Sequence, residues 1–357
     1  MKRHFLFFVS VAYSYPILRP LQEEIWRRGD DVAWFVEDDC PILLKNNETL
    51  LRTLQDVLDY NPIATFAPGN YIYDFFPGVK VSLFHGYPIN KRGDEKDDHF
   101  SIRGWFDIYC TQGESSTLPF KKLETKYGFF KVYETGWCKT DALVNKSTTA
   151  QVRHDRPVIL YSSTFTKDIT SAPHLFETLS RLVREKPWDW IISFHPMFQD
   201  LSVLNQYKEL ARACPNVTFN ESGLVDAELL NSADVLLSDA SSVIIEFMLL
   251  DKPVVTYRNT TPGRHLLNVT DPLDVEEAIA KAITRPSGLM ADIRSYVTMH
   301  EAHADGHSSA RVLDAVNNYI WYFQEKVRPK PLNLMRKLKL RWKAGYSFIP
   351  GFIGTNI

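Results

Sequence analysis

Ala233-Asp234-Val235-Leu236-Leu237-Ser238-Asp239-Ala240-Ser241-Ser242-Val243-Ile244-Ile245-Glu246 decides how the rest of this chain is read. Val235–Leu237 is a short apolar run of the kind that a parallel sheet buries on both faces. Ser238 and Asp239 close it, and Ser241-Ser242 stand where a following helix exposes unpaired backbone N–H groups. Such a helix start attracts phosphate, because its amides and positive dipole end point the same way and serine hydroxyls add donors. Glu246 follows Ser242 by one helical turn and shares its face. In an open α/β sheet the carboxyl end of a strand is where ligands collect. A well-capped structural helix would read the same way, so the stretch has to be weighed in company.

Working outward, strand and helix patterns alternate along the whole chain. Phe5–Val11, Val32–Val36, Ile63–Phe66, Val79–Phe84, Phe106–Cys110 and Lys131–Glu134 read as strands, with helices over Leu18–Arg28 and Leu50–Tyr60. The chain turns polar around Lys139–Arg156, and a second series follows. It has strands at Val158–Tyr161, Asp189–Phe194, Val217–Phe219, Val235–Leu237 and Pro253–Tyr257. Its helices are Ala172–Glu185, Asn205–Ala213, Asp226–Ser232, Val243–Leu250 and Pro272–Ile283, with a last one at Ala310–Tyr319. This rhythm predicts an α/β protein with two Rossmann-like, doubly wound domains facing a central cleft, residues 1–150 and 151–325. At 357 residues the chain exceeds one ordinary core, which agrees.

Composition narrows the function classes. A net charge of −2 provides no field to recruit nucleic acid. No apolar run approaches the roughly 20 residues needed to cross a bilayer. The apolar start, Phe5 to Val11, is interrupted by Ser10 and runs into Tyr13-Ser14-Tyr15-Pro16 without a small-residue cleavage site, so it reads as a first strand. Cys40, Cys110, Cys138 and Cys214 lack metal or redox spacing and fit a reducing cytosol. Residues 326–357 form a basic tail: Lys326 to Lys343 holds eight Lys or Arg and no acid, interleaved with leucines and Trp342. It suits an anionic membrane surface, a solvated tail, or one packed on the protein by its leucines.

Further candidates sit at strand ends. His85 follows Val79–Phe84 in His85-Gly86-Tyr87-Pro88-Ile89-Asn90-Lys91-Arg92-Gly93, placed as a general base with Lys91 and Arg92 close behind for an anionic ligand. His195 ends Asp189–Phe194, and Tyr161-Ser162-Ser163-Thr164-Phe165 offers hydroxyls at the end of another strand. In Asp305-Gly306-His307-Ser308-Ser309-Ala310-Arg311, Ser308 or Ser309 caps a helix. Arg311 in that first turn opposes the helix dipole unless a phosphate is near. Each of these also reads as ordinary turn, cap or surface chemistry. The ten histidines show no metal-binding cluster, and neither a nucleophile elbow nor a Walker loop is present.

Taken in order, four blocks resemble the CDP-glycerol glycerophosphotransferase family of teichoic-acid primases and polymerases. His85–Gly93 is similar to its His-Gly-Thr-Pro-x-Lys-Lys-x-Gly, and Tyr161–Phe165 to its Tyr-x-Pro-Thr-aromatic strand. Ser238–Glu246, continuing to Pro253, is similar to its Ser-Asp-Tyr-Ser-Ser-Val block, and Asp305–Arg311 to its Asp-Gly-x-Ala/Ser-x-Arg. Tyr87, Asn90 and Ser163 stand where the family usually has Thr, Lys and Pro. The resemblance implies a GT-B fold and transfer of glycerol phosphate, or a related polyol phosphate, from a CDP-alcohol donor to a cell-envelope glycan or glycolipid, releasing CMP. It implies His85 as the base, Glu246 orienting the donor, and Ser241, Ser242, Arg311 and His195 on its phosphates. Thr164, Ser238, Asp239 and Ser309 would complete the donor side, with Lys91 and Arg92 on the acceptor side and no metal or other cofactor. The chain's length favours a single addition over polymerisation, and its tail a place on the inner face of a bacterial cytoplasmic membrane. Alternatives are a GT-B glycosyltransferase using a CMP- or UDP-sugar, a nucleotide-sugar epimerase, and a non-catalytic membrane-associated scaffold.

Overall fold

The computed structural model describes residues 2–87, 99–147 and 155–346. Seven strands make the first sheet: β1 His4–Val9, β2 Asp31–Val36, β3 Thr49–Leu50, β4 Ala64–Ala67, β5 Val79–Ser82, β6 Ile108–Thr111 and β7 Lys131–Glu134. Six make the second: β8 Val158–Ser163, β9 Asp189–Phe194, β10 Val217–Phe219, β11 Val235–Ser238, β12 Val254–Tyr257 and β13 Leu267–Val269. The strands pair in parallel. Helices cover them: α1 Tyr15–Arg27, α2 Leu54–Tyr60, α3 Glu114–Tyr127, α4 Cys138–Ser147, α5 Ala172–Glu185 and α6 Leu201–Ala213. The rest are α7 Ala227–Ser232, α8 Val243–Met248, α9 Val275–Ile283, α10 Ser287–His300, α11 Ser308–Tyr322 and α12 Leu334–Lys343. The expected α/β fold of two parallel sheets is therefore present.

Burial explains the central strands. β1 sends Phe5, Leu6, Phe7, Phe8 and Val9 wholly into the interior, each contributing about 1.5–3 kcal/mol of transfer free energy. β8 and β11 are buried at every position, as sheets covered on both faces require. The orders are β3-β2-β1-β4-β5-β6-β7 and β10-β9-β8-β11-β12-β13. Each reverses direction once, between β1 and β4 and between β8 and β11. At such a reversal, helices leave the carboxyl ends of the strands uncovered.

The chain folds as two compact units, Met1–His85 with Phe100–Asp141 and His307–Ile357, and Gly86–His99 with Ala142–Gly306. The division differs from the expected boundaries at residues 150 and 325. The chain changes unit inside α4, and α11, expected in the second domain, belongs to the first. Its anchors show why. Arg28 pairs with Asp314 at 2.6 Å and donates to the Ala310 carbonyl at 3.0 Å, and Arg3 donates to Asn317 at 2.7 Å. Tyr133 adds a bond to Asn318 at 2.8 Å. At the helix start, the Asp141 carboxylate accepts the amides of Ser308 and Ser309 at 2.8 and 2.7 Å. Helices α3, α4 and α10 and strands β3 and β13 escaped the sequence reading. α8 ends at Met248, two residues before the predicted Leu250.

The tail is packed on the first unit. Arg341 forms a two-pronged pair with Asp74 at 3.1 and 2.5 Å, and Lys343 reaches Glu37 at 3.0 Å. Leu340 packs against the core around Phe76 and Phe120, and Tyr346 stacks on Phe75 at 3.9 Å. On α12, Leu334, Leu338 and Trp342 recur every fourth residue with Met335 alongside, and all four are exposed. Hence the tail is both anchored and amphipathic, with its apolar stripe outward.

Replacing Asp141 with Ala strips two buried amides of their acceptor. The expected loss is about 1–3 kcal/mol, read as a fall of several degrees in Tm. An unchanged Tm would remove Asp141 as the α11 cap.

Candidate functional site

In the first unit, the carboxyl ends of β1, β4 and β5 lie side by side. After β5 the chain turns at Phe84, a non-glycine residue with φ of 57°, a conformation that needs support from its surroundings. Support comes from packing: the Phe84 ring meets Phe120 edge-on at 5.0 Å, and the Trp137 indole donates to the Phe84 carbonyl at 3.2 Å. This elbow exposes His85. The imidazole hydrogen-bonds the Pro68 carbonyl beyond β4 and lies 5.7 Å from the Tyr13 ring beyond β1. Surrounding protein, chiefly by desolvation and secondarily through Arg103, lowers the His85 pKa below the ordinary histidine value, the Pro68 bond only partly opposing. The ring is therefore neutral at pH 7 and able to accept a proton. Gly69 is needed beside it, since a Cβ there would sit 2.7 Å from Ser10 Oγ.

In the second unit, the carboxyl ends of β9, β8, β11 and β12 carry the candidates in that spatial order. His195 is half-buried after β9. Its Nδ1 accepts the Met197 amide at 3.1 Å, which leaves the proton of the neutral ring on Nε2 as a donor. Its ring leans on Phe165 at 4.5 Å. Ser241 and Ser242 are half-buried beyond β11. Ser241 Oγ accepts the Val243 amide at 3.4 Å, and a Cβ on Gly86 would come within 3.0 Å of Ser242 Oγ. α8 is only six residues long, so its dipole is weak and the hydroxyls carry more of any anion binding. Glu246 is buried on α8.

Four residues expected on the donor side are held by bonds within the protein. Asp239 is 1% exposed, and its carboxylate accepts Ser163 Oγ at 2.7 Å, Ser171 Oγ at 3.0 Å and the amides of Thr164, Ser171 and Ala240. A saturated, negatively charged group cannot also take a phosphate, so Asp239 positions the turn instead. Thr164 is buried and tied to it through its amide. Ser238 Oγ donates to the Ser162 carbonyl at 2.7 Å and is wholly buried. Ser309, with Arg311, falls in the first unit. Its amide is held by Asp141. Lys91 and Arg92 lie outside the described residues.

Sequence reasoning missed several neighbours. Asn259, at the end of β12, donates to the Asp239 carbonyl at 2.5 Å. Tyr87 is buried and donates to Glu301 at 2.8 Å. Burial first, then the charges of Glu301 and Glu246, hold its phenol well above the usual tyrosine range. His265 stacks on Tyr296 at 3.5 Å, and Tyr296 meets His300 at 4.3 Å. Desolvation pushes His300 down to about 4. Lys252, inside the matching serine block, donates to the carbonyls of Leu230, Asn231 and Ala233 and so closes the end of α7. Among the described residues, no cluster of three His, Cys, Asp or Glu is placed to hold a metal ion.

Residues 115–318 match the CDP-Glycerol:Poly(glycerophosphate) glycerophosphotransferase family. The chain belongs to that family. A relative, the teichoic acid glycerol-phosphate primase of Bacillus spizizenii, is 25% identical over 185 residues, 47% of this chain and 45% of that protein. The match thus spans less than half of that relative's length. The fold is similar to the wall teichoic acid polymerase TagF, with a TM-score of 0.62 at 14% identity, covering 90% of this chain and 89% of that one. It is also similar to UDP-GlcNAc 2-epimerase from Neisseria meningitidis, with a TM-score of 0.55 at 15% identity, covering 89% of this chain and all of that one. A variant of TagF soaked with CDPG has a TM-score of 0.59 at 14% identity over 89% of each chain.

Asp239 and Ser242 should separate cleanly. Asp239→Ala takes the acceptor from three buried amides and two hydroxyls and is expected to cost about 3–5 kcal/mol, read as failure to fold or a large fall in Tm. Ser242→Ala is expected to keep the wild-type Tm and weaken nucleotide binding. Equal Tm losses in both would make Ser242 structural.

Proposed function

We propose that this protein transfers glycerol phosphate from a CDP-alcohol to a hydroxyl of a cell-envelope glycan or glycolipid, releasing CMP. The observation that carries the reading is the presentation of His85 on a buttressed elbow, neutral at pH 7 and fixed by Pro68. In the reaction, the acceptor oxygen attacks the phosphorus bearing the glycerol. A new P–O bond forms, the P–O bond to CMP breaks, and the acceptor proton passes to His85. Phosphoryl transfer depends on positioning and charge neutralisation. On this reading Ser241, Ser242 and the His195 Nε2–H bind donor phosphate oxygens, Arg311 adds a cation, and buried Glu246 orients the donor's hydroxyls. Lys91 and Arg92 stay assigned to the acceptor side.

The tail extends the reading to a membrane surface. Leu334, Met335, Leu338 and Trp342 face outward from a helix that also exposes Arg336, Lys339 and Lys343. An apolar stripe flanked by cations suits peripheral attachment to anionic lipid. Among the described residues no helix is long and apolar enough to cross a membrane.

CMP release from CDP-glycerol, with an envelope lipid and glycan extract as acceptor, tests the chemistry. His85→Ala is expected to lower the rate by about 100- to 10,000-fold without changing Tm. Because the His85 pKa is lowered, wild-type activity should persist below pH 6.5 and fail only as pH falls through the lowered value. Release from a CMP- or UDP-sugar and not from CDP-glycerol would overturn the donor.

Leu338→Glu with Trp342→Glu is expected to abolish cosedimentation with phosphatidylglycerol vesicles while leaving Tm unchanged. Undiminished cosedimentation would exclude the α12 stripe as the contact.

A further inference from the structure

At the amino end of the first sheet, opposite the edge that bears His85, lies a cavity of about 350 Å³. Gly78, Val79 and Lys80 at the start of β5 form one wall, and Asp107, just before β6, forms another. Arg328, Pro329 and Lys330 from the segment after α11 close it. Its volume falls in the range of small-molecule sites.

Its charges do not balance. Lys80 Nζ donates to two carbonyls, Phe76 at 2.5 Å and Gly78 at 2.7 Å. Lys330 Nζ donates to the Trp105 carbonyl at 2.9 Å and pairs with Asp107 at 2.7 Å. The second Asp107 oxygen is taken by the Lys80 amide at 2.8 Å. Arg328 lays its side-chain stem over Gly128, bringing a third cation to the rim. Two lysines thus share the cavity with a carboxylate whose two oxygens are already engaged, and Arg328 lines its rim. Lys80 is pushed down to about 8, by burial first and then by Lys330, with Asp107 only partly compensating. Lys330 is lowered chiefly by burial, with Asp107 opposing and Lys337 adding a smaller push down. Lys330 beside half-buried Lys80 is a crowding of like charge that an anion relieves, and two ammonium groups with a guanidinium at the rim match phosphate oxygens.

We propose that this cavity is a phosphate-anion site, separate from the transfer chemistry, in which Lys80, Arg328 and Lys330 hold a phosphate ester. The chain leaves the cavity at Lys330 and passes through exposed Leu332 into the exposed apolar stripe of α12. A glycerophosphate headgroup at a lipid surface is therefore one source of the ester, and soluble phosphate the other. The site itself stands on its geometry and not on the membrane reading.

The test is titration of the full chain with inorganic phosphate and with glycerol 3-phosphate, and separately with phosphatidylglycerol vesicles. Arg328→Gln is the main variant, because it removes a rim charge without touching Asp107; Lys330→Gln is the second, and Arg328→Lys the partial rescue. Arg328→Gln is expected to weaken anion binding about tenfold at unchanged Tm and unchanged CMP release. Saturable binding of the soluble anions that falls in both Gln variants supports the site. If vesicle binding also falls in Arg328→Gln, with Leu338 and Trp342 intact, the bound ester is a lipid headgroup; if it does not, the ester is soluble. Soluble-anion binding that is absent, or unaffected by both Gln variants, overturns the proposal, whatever the outcome for CMP release.

Discussion

The Asp239 carboxylate is the interaction on which the turn after β11 rests. Buried at the point where the sheet order reverses between β8 and β11, it gathers two hydroxyls and three amides from three separate segments. An ionised carboxylate in the interior is tolerated only when so satisfied. Its reward is a rigid turn, and Ser241 and Ser242 are carried on that turn. Asn259 fixes the same turn through the Asp239 carbonyl. The residue type that looks most like chemistry here is thus the scaffold, and the half-buried serines are carried on it.

The first unit reaches a similar end by different means. Aromatic packing around Phe84 and the Trp137 bond to its carbonyl hold a backbone turn that few residues adopt. His85 is displayed at its tip, with its protonation state set by the crowding around it rather than by a carboxylate partner. Desolvation favours the neutral ring, where an ion pair would favour the charged one.

Charged residues elsewhere in the chain divide along the same line. Asp141 and Lys252 cap helix ends, and Arg341 and Lys343 pin the tail. Pinning turns Leu334, Leu338 and Trp342 outward, so exposure of that stripe follows from which residues of α12 found partners. Lys80 and Lys330 are the exception: they sit together beside the Asp107 carboxylate, with Arg328 at the cavity rim.

By itself, the sequence determined the alternation of buried strands and amphipathic helices, the parallel sheets, and the strand-end positions of His85, His195 and Ser241-Ser242. Those features are local: periodicity, polar closure of an apolar run, and the order of the motif blocks are all written in neighbouring residues. Strand β13 is three half-buried residues, too short to carry a periodic signal, and α3 and α10 were missed for their weak amphipathicity. Only the tertiary structure decided that α11 returns to the first unit, and that Asp239 is spent on the donors of its own turn. The physical reason is that a carboxylate or an amide has no fixed role until folding supplies its partner. Asp141 lies 167 residues from Ser308, and Asp239 lies 76 from Ser163, separations at which no local pattern foretells who will meet.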